Sequence, residues 1–359
     1  MVKVAIITGG WSAEREISLN TAQSVLGALQ QYGSDKYEAC IIDFQKDLIK
    51  FISELTAASP DVAFLGIHGQ GAEDGILQGL LDVLGIPYTS SGMTSSAVTM
   101  DKVLTKLLLE RDGILSPEWE VLPPDKLSRD GASFDFPYVI KPRNEGSSVG
   151  VSIIHNQDDL QKAIAQWQWG PHVLVERYVT GQEIQVAVIN GKALGALEIR
   201  PSSEFFDYRA KYTAGATEHI FPARAPQDVC ESMLRQSEKA FERLECRGVV
   251  RAEFIYGECP RSQKGCGGVD ALFDSSSMLG TAQRLRDVFP AHNSFCARGH
   301  AEPQNEKSIP TGQQIYLLEI NSQPGLTAVS IVPDIARNVG LSYFDMIEMM
   351  IASAKTGAE

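Results

Sequence analysis

Glu319 and Asn321 stand two residues apart in Tyr316-Leu317-Leu318-Glu319-Ile320-Asn321-Ser322-Gln323-Pro324-Gly325. Arg251 and Glu253 stand two apart in Val249-Val250-Arg251-Ala252-Glu253-Phe254. Both segments read as buried strands, whose side chains alternate between faces, so each pair shares one face. Charged groups inside apolar runs need partners, because burying an unpaired charge is costly. Three hard oxygen ligands beside a guanidinium suit a divalent cation with a phosphate between them. A plain ion-pair cluster around Arg251 is the alternative that these two segments leave open.

Further groups suit a nucleotide and an amino-acid substrate. The loop Lys141-Pro142-Arg143-Asn144-Glu145-Gly146-Ser147-Ser148-Val149-Gly150 joins two strands. Gly146 and Gly150 let the backbone approach a ligand, Ser147 and Ser148 add hydroxyl donors, and Lys141 can reach a phosphate as a point charge. It is not a Walker loop, since no GxxxxGK[ST] opens a helix here, and a plain hairpin turn fits the spacing equally well. In Val173-Leu174-Val175-Glu176-Arg177-Tyr178-Val179 backbone groups suit an adenine edge, with Tyr178 and Val179 as apolar walls. Glu183, four residues past Val179, suits ribose hydroxyls; for the segment 173–179 itself an ordinary edge strand is the simpler reading. Glu14, in Gly9-Gly10-Trp11-Ser12-Ala13-Glu14-Arg15-Glu16, lies just past a strand's carboxyl end, where a substrate ammonium can bind. The same acidic residues would equally cap a helix and favour its dipole. His68 lies at another strand end, among the glycines of Ile67-His68-Gly69-Gln70-Gly71-Ala72-Glu73-Asp74-Gly75.

Regular elements must hold these groups. Val2–Thr8, Glu38–Phe44 and Asp61–His68 read as strands. Leu19, Ala22, Leu26 and Leu29 recur at helical spacing, and a second helix over Asp74–Leu84 is ended by Gly85 and Pro87. This β-α-β order predicts a parallel sheet with ligand loops at its carboxyl ends. Further on, Thr99–Arg111 reads as one helix, Phe136–Lys141 and Val151–Ile154 as strands, and Asp158–Trp167 as a helix. His172–Glu176, Glu183–Asn190 and Lys192–Arg200 read as strands, and Asn190-Gly191 signals a hairpin. A polar stretch, 202–223, separates these from a helix near Val229–Leu244, strands 248–256 and 314–321, and helices near 330–339 and 341–354. Residues 257–313, rich in Gly, Ser, Asn, Gln and Pro, read as an inserted, mobile segment. A hairpin loop there would need only about 2–5 residues.

The chain has 359 residues, 43% of them hydrophobic and 21% charged, an ordinary soluble globular composition with room for more than one domain. A formal charge of −13 argues against nucleic acid or a membrane surface as a partner, while leaving room for a local basic pocket. No apolar run reaches membrane-spanning length, and Met1–Gly10 lacks the features of a signal peptide, so a cytoplasmic protein is expected. The six cysteines include no CxxC pair and are expected to be free thiols. Cys259, Cys266, Cys296 and His300 fall in one stretch, but their spacing matches no common zinc pattern.

Together these residues resemble the D-alanine–D-alanine ligases of the ATP-grasp superfamily, over nearly the whole chain except 257–313. Gly9–Leu19 is similar to the signature GGxSxERxxSL, His68–Gly75 to HGxxGEDG with Ala72 replacing a glycine, and Met100-Asp101-Lys102 to MDK. Glu145–Gly150, Glu183, Arg251 and Glu319–Gly325 follow in order. The resemblance implies an α/β (α+β) ATP-grasp fold. An N-terminal parallel α/β domain (residues 1–92) would bind substrate, and two α+β subdomains (93–178 and 179–359) would enclose the nucleotide. It also implies ATP-dependent ligation of two D-alanines for peptidoglycan precursors, with two Mg²⁺ (or Mn²⁺) ions, in a homodimer. Lys102 and Lys141 would hold ATP phosphates, helped by Lys211 and by Ser148. Glu176, Arg177, Tyr178 and Val179 would contact adenine, and Glu183 the ribose. Glu253, Glu319 and Asn321 would bind the metal ions. Glu14 would hold the first D-alanine's ammonium group in a hydrogen-bonded set with Ser147 and Tyr212, and His68 would orient that substrate. Ser330 and Ile331 would meet the second D-alanine, while Arg251 and the backbone at Gly325 would stabilise the oxyanion. The stretch 202–223 resembles the family's closing loop.

Glu253 stands where the family usually has aspartate. The added methylene shifts the carboxylate by about 1.5 Å, and Mg²⁺ tolerates poor geometry badly, which leaves the choice of metal open. Tyr212 favours the dipeptide over a D-alanine–D-lactate product, since depsipeptide-forming relatives tend to lack it. Another ATP-grasp carboxylate–amine ligase would leave the GGxSxER match unexplained. A nucleotide-binding protein without catalysis would leave the Lys, Arg and metal positions without a use. The insertion is expected to loop away from the site, because both flanking strands keep their polar faces.

Overall fold

Val4, Ala5, Ile6 and Ile7 are all buried in β1 (Val2–Gly9), which therefore carries apolar side chains on both faces, as an interior parallel strand must. It pairs in parallel with β2 (Tyr37–Phe44) and β3 (Val62–Leu65), in the order β2-β1-β3. α1 (Arg15–Tyr32) packs Ala22, Val25 and Leu29 against one face. α2 (Leu48–Ala58) and α3 (Ile76–Leu84) cover the other with Phe51, Leu55, Leu77 and Leu81. The expected layered β-α-β unit is present. The helix expected from Asp74 begins at Ile76, because the Asp74 carboxylate accepts from the N–H groups of Gly71 (2.8 Å) and Ile76 (3.1 Å) and closes the loop before it.

The computed structural model describes residues 1–12, 14–201, 217–258 and 313–357. The expectations for Lys211 and Tyr212, for Cys259, Cys266, Cys296 and His300, and for the path of the insertion fall outside these. The helix expected over Thr99–Arg111 is α5 (Lys102–Glu110), while Thr99 and Met100 end a separate helix, α4 (Met93–Met100). Asp101 divides them: its Oδ1 accepts from the N–H groups of Val103 (3.0 Å) and Leu104 (3.1 Å), an N-cap that restarts the helix.

The second sheet is antiparallel and contains two elements the sequence reading passed over, β4 (Trp119–Leu122) and α6 (Pro124–Asp130). With β5 (Tyr138–Lys141), β6 (Ser152–Ile154) and β7 (Val173–Arg177) the order is β4-β7-β5-β6. Leu127 of α6 and Leu160 of α7 (Gln157–Ala165) pack on it.

The third sheet comprises β8 (Thr180–Ile189), β9 (Lys192–Pro201), β10 (Thr217–Ile220), β11 (Val249–Glu258) and β12 (Gln313–Asn321), ordered β10-β9-β8-β11-β12. Asn190 and Gly191 turn β8 into β9 with φ values of 49° and 81°, the positive values a two-residue hairpin favours. β10 lies inside the polar stretch 202–223, for which no strand was expected. α8 (Gln227–Arg243) packs Val229, Met233 and Ala240 on one face, joined by Leu109 of α5. α9 (Ile331–Asn338) and α10 (Tyr343–Ala352) pack on the other, where their core merges with that of α1. No helix among the described residues is long and apolar enough to cross a membrane, and Cys40, Cys230 and Cys246 are free thiols.

The insertion is shorter than its composition suggests, because Gly257 and Glu258 continue β11 and Gln313 opens β12. Gly257 faces Gly181 of β8, and a Cβ on Gly257 would stand 2.1 Å from the Thr180 carbonyl oxygen. We expect Gly257→Val to cost about 1–3 kcal/mol, as overpacking does. In urea unfolding this would appear as a lower midpoint at an unchanged slope, and an unchanged midpoint would show that the strands can part there.

Candidate active site

β11 and β12 set Arg251 opposite Asn321 and Glu253 opposite Glu319. The register shift falls immediately beyond Glu253, so the bulge lies just outside this cluster. Like charges directly across a sheet repel, and each carboxylate is answered by a cation. Arg251 is ion-paired with Glu253, and Lys102 Nζ stands 3.4 Å from Glu319. Asn321 Oδ1 accepts from the Gln323 N–H at 2.8 Å. Two carboxylates and an amide are all hard oxygen donors and fit Mg²⁺ or Mn²⁺. Among the described residues no group of three His, Cys, Asp or Glu side chains offers another metal site.

Lys102 also ties α5 to the Gly/Ser loop. Its Nζ donates to the Glu145 carbonyl at 2.5 Å, and its N–H donates to the Arg143 carbonyl at 3.1 Å. Arg143 in turn forks onto Asp101, with Nε–Oδ1 at 2.7 Å and Nη2–Oδ2 at 2.6 Å. The loop is the β5–β6 hairpin, so the turn reading holds without excluding a ligand. Ser147 and Ser148 take φ values of 50° and 59°, unfavourable for residues with a Cβ. That conformation goes with a bond from Ser147 Oγ to Glu14 Oε1 at 2.5 Å. At Gly150, where φ is 71°, a Cβ would stand under 3 Å from Pro142 and Trp169.

Lys141 ends β5 with its Nζ 2.7 Å from Glu176 Oε2, while Lys106 Nζ lies 2.9 Å from Glu176 Oε1. All three are buried. Burial pushes the Glu176 carboxyl up, yet the two ammonium groups bring it below its ordinary value. Burial pushes the Lys106 ammonium down, against the pull of Glu176. β7 is not the edge strand expected, because β4 and β5 flank it and place Trp119 and Val139 on either side of Glu176. The Arg177 N–H donates to the Glu118 carbonyl (2.8 Å), its Nε to the Glu118 carboxylate (2.9 Å), and its guanidinium stacks 4.9 Å from the Phe134 ring. Tyr178, half-buried, and Val179, buried, open the link to β8. Glu183 lies between Ile199 and Ile255 and accepts from Gln185 Nε2 at 3.1 Å. Ser148 lies in the hairpin loop, its carbonyl accepting from the Val151 N–H at 3.3 Å.

Glu14 precedes α1, but its side chain makes no capping bond and instead accepts from Ser147. His68 is 3% exposed; its Nε2 is 3.1 Å from Thr21 Oγ1 and its Nδ1 3.2 Å from the Gln323 carbonyl. Glu73 lies 3.6 Å from the same Nδ1. Burial lowers the tendency of this ring to protonate, yet Glu73, Glu14 and the Gln323 carbonyl raise its pKa above the ordinary value overall. A raised folded pKa means that the charged ring stabilises the fold fully below the unfolded value of about 6.5, and that this contribution is lost as pH rises through the folded pKa. We therefore expect Glu73→Gln to lower the melting temperature more at pH ~6 than at pH ~9. An equal loss at both would mean that the charge on His68 does not change between them.

Gly325 lies beside Ser330, whose Oγ an added Cβ would approach to 3.1 Å. Ser330 shares a hydrogen bond with Thr327 Oγ1 at 2.8 Å and directly precedes half-buried Ile331, the first residue of α9. Gln323, which the sequence reading passed over, links the parts. Its Nε2 donates to the Ile67 carbonyl at 2.5 Å, its carbonyl meets His68, and its N–H meets Asn321. Its place between Asn321 and Gly325 was the only signal. Lys106 was passed over too, although it follows Lys102 by one helical turn.

A profile described as "D-ala D-ala ligase C-terminus" matches residues 108–260 and 308–352, breaking within the stretch that read as an insertion. The D-alanine–D-alanine ligase of Rhizorhabdus wittichii is 36% identical over 359 residues, covering 99% of this chain and 97% of that protein. The D-alanine–D-alanine ligase of an Anaeromyxobacter species is 36% identical over 357 residues, covering 98% and 96%. A crystal structure of D-alanine–D-alanine ligase from Bacillus anthracis, complexed with ATP, matches with a TM-score of 0.70 at 26% identity, covering 98% of this chain and 97% of that one. The likeness thus extends end to end in both sequence and fold, through every element that carries the cluster above, and the chain belongs to the D-alanine–D-alanine ligase family with its ATP-grasp fold.

Proposed function

We infer that this enzyme joins two D-alanines into D-alanyl-D-alanine at the expense of ATP, for peptidoglycan precursors. The observation that carries the reading is the face shared by Arg251, Glu253, Glu319 and Asn321, with Lys102 beside Glu319. Lys102 and Lys141, with Ser148 and Lys211, hold the phosphates. Adenine is read mainly by the backbone around Tyr178 and Val179, because the β7 backbone and the Glu176 and Arg177 side chains are already engaged. Glu183 takes the ribose. Glu14, held by Ser147 and joined by Tyr212, receives the ammonium group of the first D-alanine, and His68 orients it.

The carboxylate of that D-alanine attacks the γ-phosphate, releasing ADP and forming an acyl phosphate. Positioning and charge neutralisation supply most of the acceleration here. Glu253, Glu319 and Asn321 would hold two Mg²⁺ (or Mn²⁺) ions, which when bound neutralise charge on the transferring phosphoryl group. The second D-alanine binds through its carboxylate at Ser330, against Ile331, and its free amine attacks the acyl carbonyl. Arg251 and the backbone at Gly325 donate to the oxyanion of the tetrahedral intermediate, which then expels phosphate. Water has to be kept from the acyl phosphate, which would otherwise hydrolyse. We propose in addition a homodimer, a cytoplasmic location and domains of residues 1–92, 93–178 and 179–359.

The test is incubation with ATP, D-alanine and D-lactate together, followed by identification of the product. D-alanyl-D-alanine with D-alanine-dependent phosphate release supports the reading. Absence of release with both Mg²⁺ and Mn²⁺ overturns it, and a depsipeptide product moves the specificity.

A further inference from the structure

Lys106 belongs to none of the roles assigned so far, yet it is one of three charges buried together. The Glu176 carboxylate lies 2.9 Å from Lys106 and 2.7 Å from Lys141, with side chains 3%, 3% and 9% exposed for Lys106, Glu176 and Lys141. One buried ion pair can break even against its desolvation, but a second buried ammonium adds a penalty that the same carboxylate repays only in part. Glu110, two turns along α5 from Lys102, also attracts Lys106, but it is exposed and engaged by Ser116 and Trp119. One positive charge is thus left over. Lys106 is the more enclosed of the two lysines. Lys141, where β5 enters the Gly/Ser loop, is the one that can meet an anion.

We propose that Lys106 is a positioning residue for the nucleotide: it neutralises Glu176, so that the charge of Lys141 remains available to a phosphate of ATP. The proposal rests on the reading of Lys141 as a phosphate ligand. Without Lys106, Glu176 and Lys141 cancel each other, and the contribution of Lys141 to holding the nucleotide is lost. Lys106 itself need not touch ATP.

The charge balance makes a prediction that a merely structural lysine would not. In the full-length enzyme with D-alanine saturating, Lys106→Met should raise KM for ATP about tenfold, with KM for D-alanine unchanged. Adding Glu176→Gln, which leaves the backbone proposed to read adenine in place, should bring KM for ATP back toward wild type, because Lys141 regains an uncancelled charge. An unchanged KM for ATP in Lys106→Met, or no recovery in the double variant, overturns the proposal. If Lys106→Met alone does not fold, the double variant decides: a near-normal KM for ATP supports the proposal and a raised one overturns it. Lys141→Met distinguishes the role of Lys106 from that of Lys141. A raised KM for ATP there with an unchanged one in Lys106→Met defeats the proposal alone. An unchanged KM in Lys141→Met defeats the reading of Lys141 as a phosphate ligand, and the proposal with it.

Discussion

Arg251→Ala is expected to lower kcat by on the order of 10²–10³, the loss typical of removing one oxyanion donor. The backbone of Arg251 pairs with Asn321 on one side and Ala187 on the other, so the strand survives truncation of the side chain. Two things are lost beyond Cβ: a donor facing the acyl carbonyl in the proposed reaction, and the cation that answers Glu253. The second loss affects stability, because leaving a buried carboxylate without its partner costs about 3–5 kcal/mol. The melting temperature should therefore fall together with turnover, and the two must be measured side by side. Arg251→Lys separates them, since an ammonium keeps the charge beside Glu253 but lacks the planar fork of the guanidinium. It should recover most of the stability and only part of kcat. In both variants ADP formation should outlast dipeptide formation, since the donor serves the second step. Near-normal dipeptide turnover in a folded Arg251→Ala enzyme would move the oxyanion role to other groups.

Several parts of this site were open to reading because they depend on local spacing. The two-residue offsets of Arg251/Glu253 and Glu319/Asn321 survive in the sheet because strand periodicity requires it. Asn190-Gly191 needed only its own backbone preferences to make a turn. What stayed hidden was set by partners distant in sequence. His68 meets Gln323 across 255 positions, and Glu14 meets Ser147 across 133. β7 read as an edge strand because β4, its second neighbour, is a four-residue strand with little apolar alternation. Asp101 broke an unbroken apolar periodicity because one carboxylate can cap a helix within a turn. The charge state of a buried group is the least local property of all. Glu176 could be matched to the family's adenine contacts, but not to Lys106 and Lys141, until α5 and β5 were brought against β7.

Removing one of the opposed carboxylates should have the opposite signature to removing Arg251. Glu319→Gln keeps the shape and one oxygen donor but halves the negative charge facing the proposed cation site. Replacing a charged ligand by a neutral one removes part of several kcal/mol of charge stabilisation, so a fall in kcat on the order of 10³ is expected. Half-maximal activity should also require more Mg²⁺. Stability without metal should change little, because the repulsion between Glu253 and Glu319 disappears. Lys102, which loses this partner, keeps its bond to the Glu145 carbonyl. The decisive comparison is the melting temperature with and without Mg²⁺. A cation that binds only the folded state raises it in proportion to occupancy. Wild type should show that rise, and Glu319→Gln should lose most of it over the same concentrations. Glu253→Asp, which withdraws the carboxylate by one methylene, should keep the rise but shift the relative activity with Mg²⁺ and Mn²⁺, because the smaller ion is the stricter about geometry. If Glu319→Gln retained both its activity and its Mg²⁺-dependent melting shift, the paired carboxylates would be a structural ion-pair cluster around Arg251 and Lys102, and the cation would have to lie elsewhere.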